Sequence, residues 1–288
     1  MNTRNLVNLI LLLVVISLGS LVLFDPFEKE APAPAHLSEL STENINHIEI
    51  MQDDKTTTIL DQKDNKWFLI KPVTIAANEV QVFELLGLIN TISYAHFDVA
   101  QANLAKYGLQ PPHITLKFNE ATFTFGERDP INHNRYIMYN NSVHLIRDFY
   151  TSIANSAPMG LVSLALFPEA KKITSLVLPH MHLNFVDGSW KIDPPPSDPV
   201  SQDAIHKLVD DWAFAQALEV SQINSKQLAK HKTNPIQIGF SDTTTPLDLL
   251  TYVTDNERLI VNLTLGIQYH LAKDNSVQLF EFSKPGSE

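Results

Sequence analysis

The sequence contains no cysteine, so disulfides, thiolate metal sites and a cysteine nucleophile are excluded together. Glycine is scarce, nine residues in 288, and none of the nine belongs to a Gly-x-Ser-x-Gly elbow or a phosphate-cradling loop. His-Glu-x-x-His is missing too, and no cofactor or metal is expected. Positive charge is in deficit, with 21 Lys and Arg against 32 Asp and Glu, a net charge of -11 and a pI near 5.4. Phosphates would be repelled, which argues against nucleic acid and disfavours acidic lipid surfaces.

Long apolar runs are absent except for one, Leu6 to Phe24, broken only by Asn8, Ser17, Gly19 and Ser20. About 19 residues at 1.5 Å each just cross a hydrocarbon core of roughly 30 Å. Arg4 precedes the run, while Asp25, Glu28 and Glu30 follow it. The positive-inside bias therefore sets residues 1–24 as the anchor of a single-pass inner-membrane protein whose bulk lies in the periplasm. A cleaved signal peptide is the competing reading, with Ser17-Leu18-Gly19 as its site, but the run outlasts a normal cleaved h-region. Residues 25–36, with alternating Ala and Pro, form an extended linker.

With 44% hydrophobic residues, the remainder can bury one large core or two modest ones, and a repeat in the sequence favours two. Lys66 to Pro72 reads Lys-Trp-Phe-Leu-Ile-Lys-Pro, and Ser189 to Pro195 reads Ser-Trp-Lys-Ile-Asp-Pro-Pro; Trp67 and Trp190 stand 123 residues apart. Each is a short strand with a Trp and an aliphatic on one face, stopped by proline. Asn78 and Ser201, at the same offset, are helix caps. The helix faces behind them are Val82, Leu85, Leu86, Ile89 and Ile92 in one copy and Ile205, Leu208, Val209, Trp212 and Ala215 in the other. Further matches join Leu104-Ala105-Lys106 to Leu228-Ala229-Lys230, Pro112 to Pro235, and Asn141 through Ile146 to Asn275 through Phe280. The last pair is 134 apart, which implies about 11 extra residues between Phe240 and Tyr269.

The fold class expected is α+β: tandem units over residues 37–150 and 168–288, each an antiparallel sheet with one long packed helix, joined by a partly helical segment 151–167. Opposite Trp67 the strand carries Phe68 and Ile70, and opposite Trp190 it carries Lys191 and Asp193. The first face should be covered and the second wet.

Three features carry a resemblance: the amino-terminal apolar helix with the Trp-strand-Pro-helix unit, the segment Asn103 to Leu109 followed by Pro111-Pro112, and Leu265 to Leu271. Together they resemble the bacterial domain-of-unknown-function family 4340 over most of residues 37–282. The resemblance implies an extracytoplasmic accessory part of an ABC-type transport system of the gliding-motility kind, with envelope or transporter proteins as partners. It implies no catalytic residues.

The densest polar stretch is Glu127 to Arg135, expected as a hairpin loop. Arg128, Asp129, Asn132, His133 and Arg135 are the candidate ligand- or partner-binding residues, since a His, a carboxylate and two Arg can hold an anion or move a proton. A turn is the plainer reading of Asp129-Pro130. The function expected is a periplasmic binding or scaffolding module, with an envelope hydrolase using this loop or a purely structural envelope assembly factor as the alternatives. His180-Met181-His182 offers two imidazoles but fixes no third ligand. Trp67, Trp190 and Trp212 read as core.

Overall fold

The computed structural model describes residues 11–16, 35–53, 55–101, 103–168 and 171–282. Residues 1–35 and 36–288 are separate units. In the first, residues 11–16 are helical and exposed. The rest of the Leu6–Phe24 run and residues 25–34 lie outside the described residues. Among the described residues no helix is long and apolar enough to cross a membrane.

In chain order the elements begin with β1 (Ala35–His36), β2 (His47–Gln52), β3 (Lys55–Lys63), β4 (Lys66–Lys71), β5 (Ile75–Ala76), α1 (Glu79–Leu86) and β6 (Ile92–Asp98). There follow β7 (Ile114–Phe118), β8 (Ala121–Arg128), β9 (Arg135–Tyr139), β10 (Ser142–Ile146) and α2 (Tyr150–Ser156). The remaining elements are β11 (Ile173–Leu178), β12 (Met181–Val186), β13 (Ser189–Asp193), α3 (Gln202–Ala213), β14 (Glu219–Gln222), the single turn α4 (Ser225–Leu228), β15 (Asn234–Phe240), β16 (Leu247–Val253), β17 (Glu257–Asn262) and β18 (Ile267–Ala272).

The strands make two antiparallel sheets. Read from its Trp strand, the first runs β4-β3-β2-β7-β8-β9-β10-β6, with β1 and β5 at its edges. The second runs β13-β12-β11-β15-β16-β17-β18-β14, the same succession of strands. In each, the helix that follows the Trp strand starts at its expected cap: Asn78 Oδ1 accepts the Gln81 N–H at 3.4 Å, and Ser201 Oγ accepts the Ala204 N–H at 3.1 Å. Trp67, Leu69 and Trp190 are buried, so the alternation in both strands sets their inward faces as the residue pattern requires. Val82, Leu85 and Leu86 line the inner side of α1, and Ile205, Leu208, Val209 and Trp212 that of α3. Each such side chain stabilises by about 1.5 to 3 kcal/mol relative to exposure.

Several expectations are corrected. The first helix is not long: α1 ends at Leu86, the chain tightens into a 3-10 turn over Gly87–Asn90, and Ile92 is exposed on β6. Leu88 and Ile89 are both buried in that turn. Asn275 to Phe280 is no strand. It forms a 3-10 turn over Val277–Leu279, and Leu279 and the following Phe280 are both buried. The strand at the place of β10 is instead β18. The 11-residue insertion shrinks to a few residues with that match, since the longer turns β15–β16 and β17–β18 are partly offset by a shorter one between β16 and β17. Leu104 opens its turn while Leu228 closes its own, so that tripeptide match is not positional either.

The core also differs from two separate ones. A single apolar cluster runs from Ile48 and Trp67 through Leu161 and Val162 to Trp190 and Trp212. The segment between the sheets makes this continuity. Asn78 N–H donates to Leu161 O (2.8 Å) and Ser163 N–H to Ala76 O (3.0 Å), while Leu166 N–H donates to Ala215 O (3.0 Å) and Ala217 N–H to Leu164 O (2.8 Å). Residues 161–166 thus strap the start of α1 to the chain leaving α3. The expected helix in this segment is α2, which stops at Ser156, two residues before Pro158. On the outer face of β4, Phe68 is half-buried but Ile70 is 38% exposed, so the full cover expected there is not present. Lys191 and Asp193 are exposed as expected.

Candidate functional site

The loop singled out by composition is tightly organised by its own backbone. Asp129 N–H donates to Asn134 O (2.7 Å) and His133 N–H donates to Asp129 O (3.0 Å). The Asp129 carboxylate is buried and turned inward: Oδ2 accepts the Asn132 N–H at 2.8 Å, and Oδ1 lies 3.5 Å from the Tyr136 hydroxyl. Burial and the Asp129 charge push the Tyr136 hydroxyl up. Asn132 and His133 are exposed, His133 at φ 58°. The carboxylate and imidazole that the sequence sets four residues apart therefore serve different surroundings.

Arg128 and Arg135, by contrast, are brought together, and what joins them is an acid the sequence reading missed. Arg135 donates to Asp148 Oδ2 through Nε (3.0 Å) and Nη2 (2.8 Å), and to Gly126 O through Nη1 (2.7 Å). Arg128 Nη2 reaches the same carboxylate oxygen at 3.2 Å. The other oxygen, Oδ1, accepts the Thr151 N–H at 3.1 Å in the first turn of α2. The Asp148 side chain is only 3% exposed. Burial alone would raise its carboxyl, but the Thr151 and Arg135 hydrogen bonds and the Arg135 charge outweigh that and hold it below the ordinary carboxylate value. Both guanidinium groups are thereby engaged, and the arrangement braces the β8–β9 hairpin against α2. The only local signal was an acid just ahead of a helix start.

The Asn103 to Leu109 segment packs beside this brace. Asn103 caps the 3-10 turn Leu104–Tyr107, Gly108 takes φ 67°, and Leu109 is buried. The Tyr107 ring lies 4.7 Å from that of Tyr136. A Cβ on Gly126 would sit 2.3 Å from Tyr107 O, so glycine is required there by close backbone approach. His180 Nε2 lies 2.7 Å from Phe280 O, and among the described residues no three His, Cys, Asp or Glu side chains are grouped to hold a metal.

The stronger candidate surface surrounds Phe68. One hollow of about 650 Å³ lies between the Trp67–Phe68 stretch, the start of α1 and Ser163 to Ala165. A second, about 500 Å³, has apolar walls from Ile75, Leu166, Phe167, Phe240, Leu247 and Tyr269. A third, about 710 Å³, is polar at one end, lined by His47, Asp61, Lys63, Phe68, Ile70 and Thr74. Phe68 borders all three. At the polar end His47 Nδ1 lies 2.5 Å from Asp61 Oδ1 and Nε2 lies 3.2 Å from Glu49 Oε1. Partial burial works against the charged ring, but the hydrogen bonds to Asp61 and Glu49 win and raise its pKa.

Residues 67–180 match the family described as a domain of unknown function, DUF4340. That segment takes in the Trp67 strand, α1, the 127–135 hairpin, its brace on Asp148 and β11. The match supports the family resemblance over residues 67–180; the amino-terminal apolar run and the Leu265 to Leu271 motif lie outside it. No curated protein and no solved structure matches the chain.

Proposed function

We propose that the chain is a membrane-tethered binding and scaffolding module, a tandem duplication whose Phe68 surface receives an extended segment of a partner protein. The observation that carries this reading is a half-buried aromatic on a strand next to the sheet edge, bordering three adjoining hollows whose walls are largely apolar. Apolar surface of this kind marks docking sites. The occupant we assign is a segment with apolar side chains at its centre and a net basic character, complementary to a net charge of -11. The matching strand order and the caps 123 residues apart favour duplication.

The tether is the Leu6–Phe24 run, with the bulk of the chain in the periplasm, and the partner is a component of an envelope complex of the ABC-transporter kind. A hydrolase built on the 127–135 loop is the weaker reading, because Asp129 is held by the turn and both arginines by Asp148. A photo-crosslinking residue at position 68 of the full chain in native membranes should give one discrete adduct, absent when the label replaces exposed Asn184. Equal adducts at both positions, or none at 68, would overturn the docking site. A reporter active only in the periplasm, fused after Glu288, should be active; activity of a cytoplasmic reporter there would overturn the topology.

A further inference from the structure

At the β14 edge of the second sheet a serine, a histidine and a glutamate stand in line. Ser221 on β14 pairs with Gln268 on β18, and His270 pairs with Leu259 on β17. Directly opposed residues project to the same face, and Glu257 lies two residues from Leu259, so all four polar side chains share one face. Ser221 Oγ lies 2.8 Å from His270 Nε2, and His270 Nδ1 lies 2.9 Å from Glu257 Oε2. This is the order in which a carboxylate orients an imidazole and the imidazole faces a hydroxyl. Gln268 Nε2 donates to Ser221 Oγ at 3.1 Å and lies 3.4 Å from His270 Nε2, while the Tyr252 hydroxyl donates to Gln268 Oε1 at 3.4 Å. Gln268 is buried, so its amide is held beside the hydroxyl.

The first sheet provides an internal contrast. At the equivalent strand pair, β6 and β10, Ser93 Oγ lies 3.0 Å from His144 Nδ1. There the imidazole stacks on His96, with ring centroids 5.7 Å apart, and among the described residues no carboxylate is hydrogen-bonded to it. Among the described residues, only the second sheet completes the line.

We propose that Ser221, His270 and Glu257 form a hydrolytic triad for carboxylic esters of small apolar acyl groups, with Gln268 as oxyanion donor. His270 Nε2 takes the Ser221 proton as Oγ bonds to the ester carbonyl carbon, whose π electrons move to its oxygen. The Gln268 amide, 3.1 Å from Oγ, is placed to donate to that oxygen. Collapse breaks the bond to the alkoxy oxygen, which leaves as alcohol with the His270 proton. Water then adds to the acyl-serine, giving its proton to His270, and the carboxylic acid departs as Ser221 Oγ recovers that proton. The acyl class follows from the same face, where Tyr252, Leu259 and Val261 form a small apolar cluster edged by half-buried Ile223 and Leu228. Ser221 and His270 are both partly exposed, and the acid flank at Glu257 is open, so an ester approaches from solvent.

The test is to treat the full chain with an alkyl fluorophosphonate and to map the adduct by mass, with p-nitrophenyl butyrate hydrolysis as the second readout. The expected result is one phosphonyl group on Ser221, with hydrolysis lower by about 100-fold or more in Ser221→Ala and His270→Ala. Glu257→Gln should lose about 10-fold or more, and Ser93→Ala should match the unaltered chain. An unlabelled Ser221 in that unaltered chain, while a known serine hydrolase in the same tube is labelled, would overturn the triad whether or not any variant folds. Ester hydrolysis undiminished in Ser221→Ala would do the same. Crosslinking from position 68 should persist in Ser221→Ala, so failure of the triad and failure of the docking surface are separately visible.

Discussion

Arg135 and Asp148 close a brace at 2.8 Å between the β8–β9 hairpin and the first turn of α2, with the carboxylate almost fully buried. Removing one partner of such a pair leaves the other charge uncompensated. Asp148→Asn and Arg135→Gln are each expected to cost about 3 kcal/mol. Arg128 touches the same oxygen but its side chain is 58% exposed, so Arg128→Ala should cost under about 1 kcal/mol. Urea denaturation of the three variants measures the contrast, and equal losses would count against the brace.

The same carboxylate makes stability depend on acid. Its folded value lies below its unfolded one, so the stabilisation is complete above the unfolded pKa of about 3.9 and is lost as pH falls through the folded value. Acid titration should therefore show a stability loss below about pH 4 that is smaller in Asp148→Asn. An Asp148→Asn chain with an unchanged slope would place the acid sensitivity elsewhere.

Gly126 carries the approach of the Asn103–Leu109 segment to the sheet. Gly126→Ala must displace Tyr107 O, which is backbone and cannot rotate away. A loss of about 1 to 3 kcal/mol is expected, with hydrogen exchange speeding first around Leu104 to Leu109. Unchanged stability would mean that the segment shifts freely.

Local patterns in the sequence were enough for local structure. Asn78 and Ser201 cap because a short polar side chain precedes each apolar stripe, and Trp67 and Trp190 are buried because strand alternation leaves them one side to face. What escaped was set by distant partners. Asn275 to Phe280 resembles Asn141 to Ile146 residue by residue, yet it turns because Leu279 and Phe280 pack on Trp212, with Leu279 O accepting its indole N–H. Asp148 joins arginines 13 and 20 residues away, and Ser221 meets His270 across 49 residues. No spacing rule anticipates such meetings, because strand order creates them. Of the five loop residues chosen for chemistry, the structure joins Arg128 and Arg135, turns Asp129 inward and leaves Asn132 and His133 exposed.

The tryptophans supply another test. Trp212 Nε1 donates to Leu279 O, whereas Trp67 Nε1 has no hydrogen-bond partner among the described residues. Phenylalanine removes a similar volume from each site, but only at position 212 does it leave a carbonyl unpaired. Trp212→Phe should therefore destabilise more than Trp67→Phe by about 1 to 3 kcal/mol. Chemical denaturation of both decides it, and a larger loss at 67 would reverse the assignment.

The outer face of the Trp strands separates packing from docking. Phe68 is half-buried and Ile70 is 38% exposed, so a charge at 68 displaces more apolar contact than one at 70. Phe68→Asp is expected to cost about 2 kcal/mol and Ile70→Asp about 1 kcal/mol or less. Asp193→Ile, on the wet counterpart strand, should stay within about 0.5 kcal/mol. Thermal melts of the three variants rank the positions, and equal losses would erase the asymmetry between the two sheets. Ile70 also lines the polar-ended hollow with Phe68, which gives it a second readout. If the surface docks a partner, Ile70→Asp should weaken the crosslink from position 68 while barely moving the melt. A crosslink that survives Ile70→Asp unchanged would confine the partner to the apolar hollow beside Phe240 and Tyr269, leaving the His47 end unoccupied.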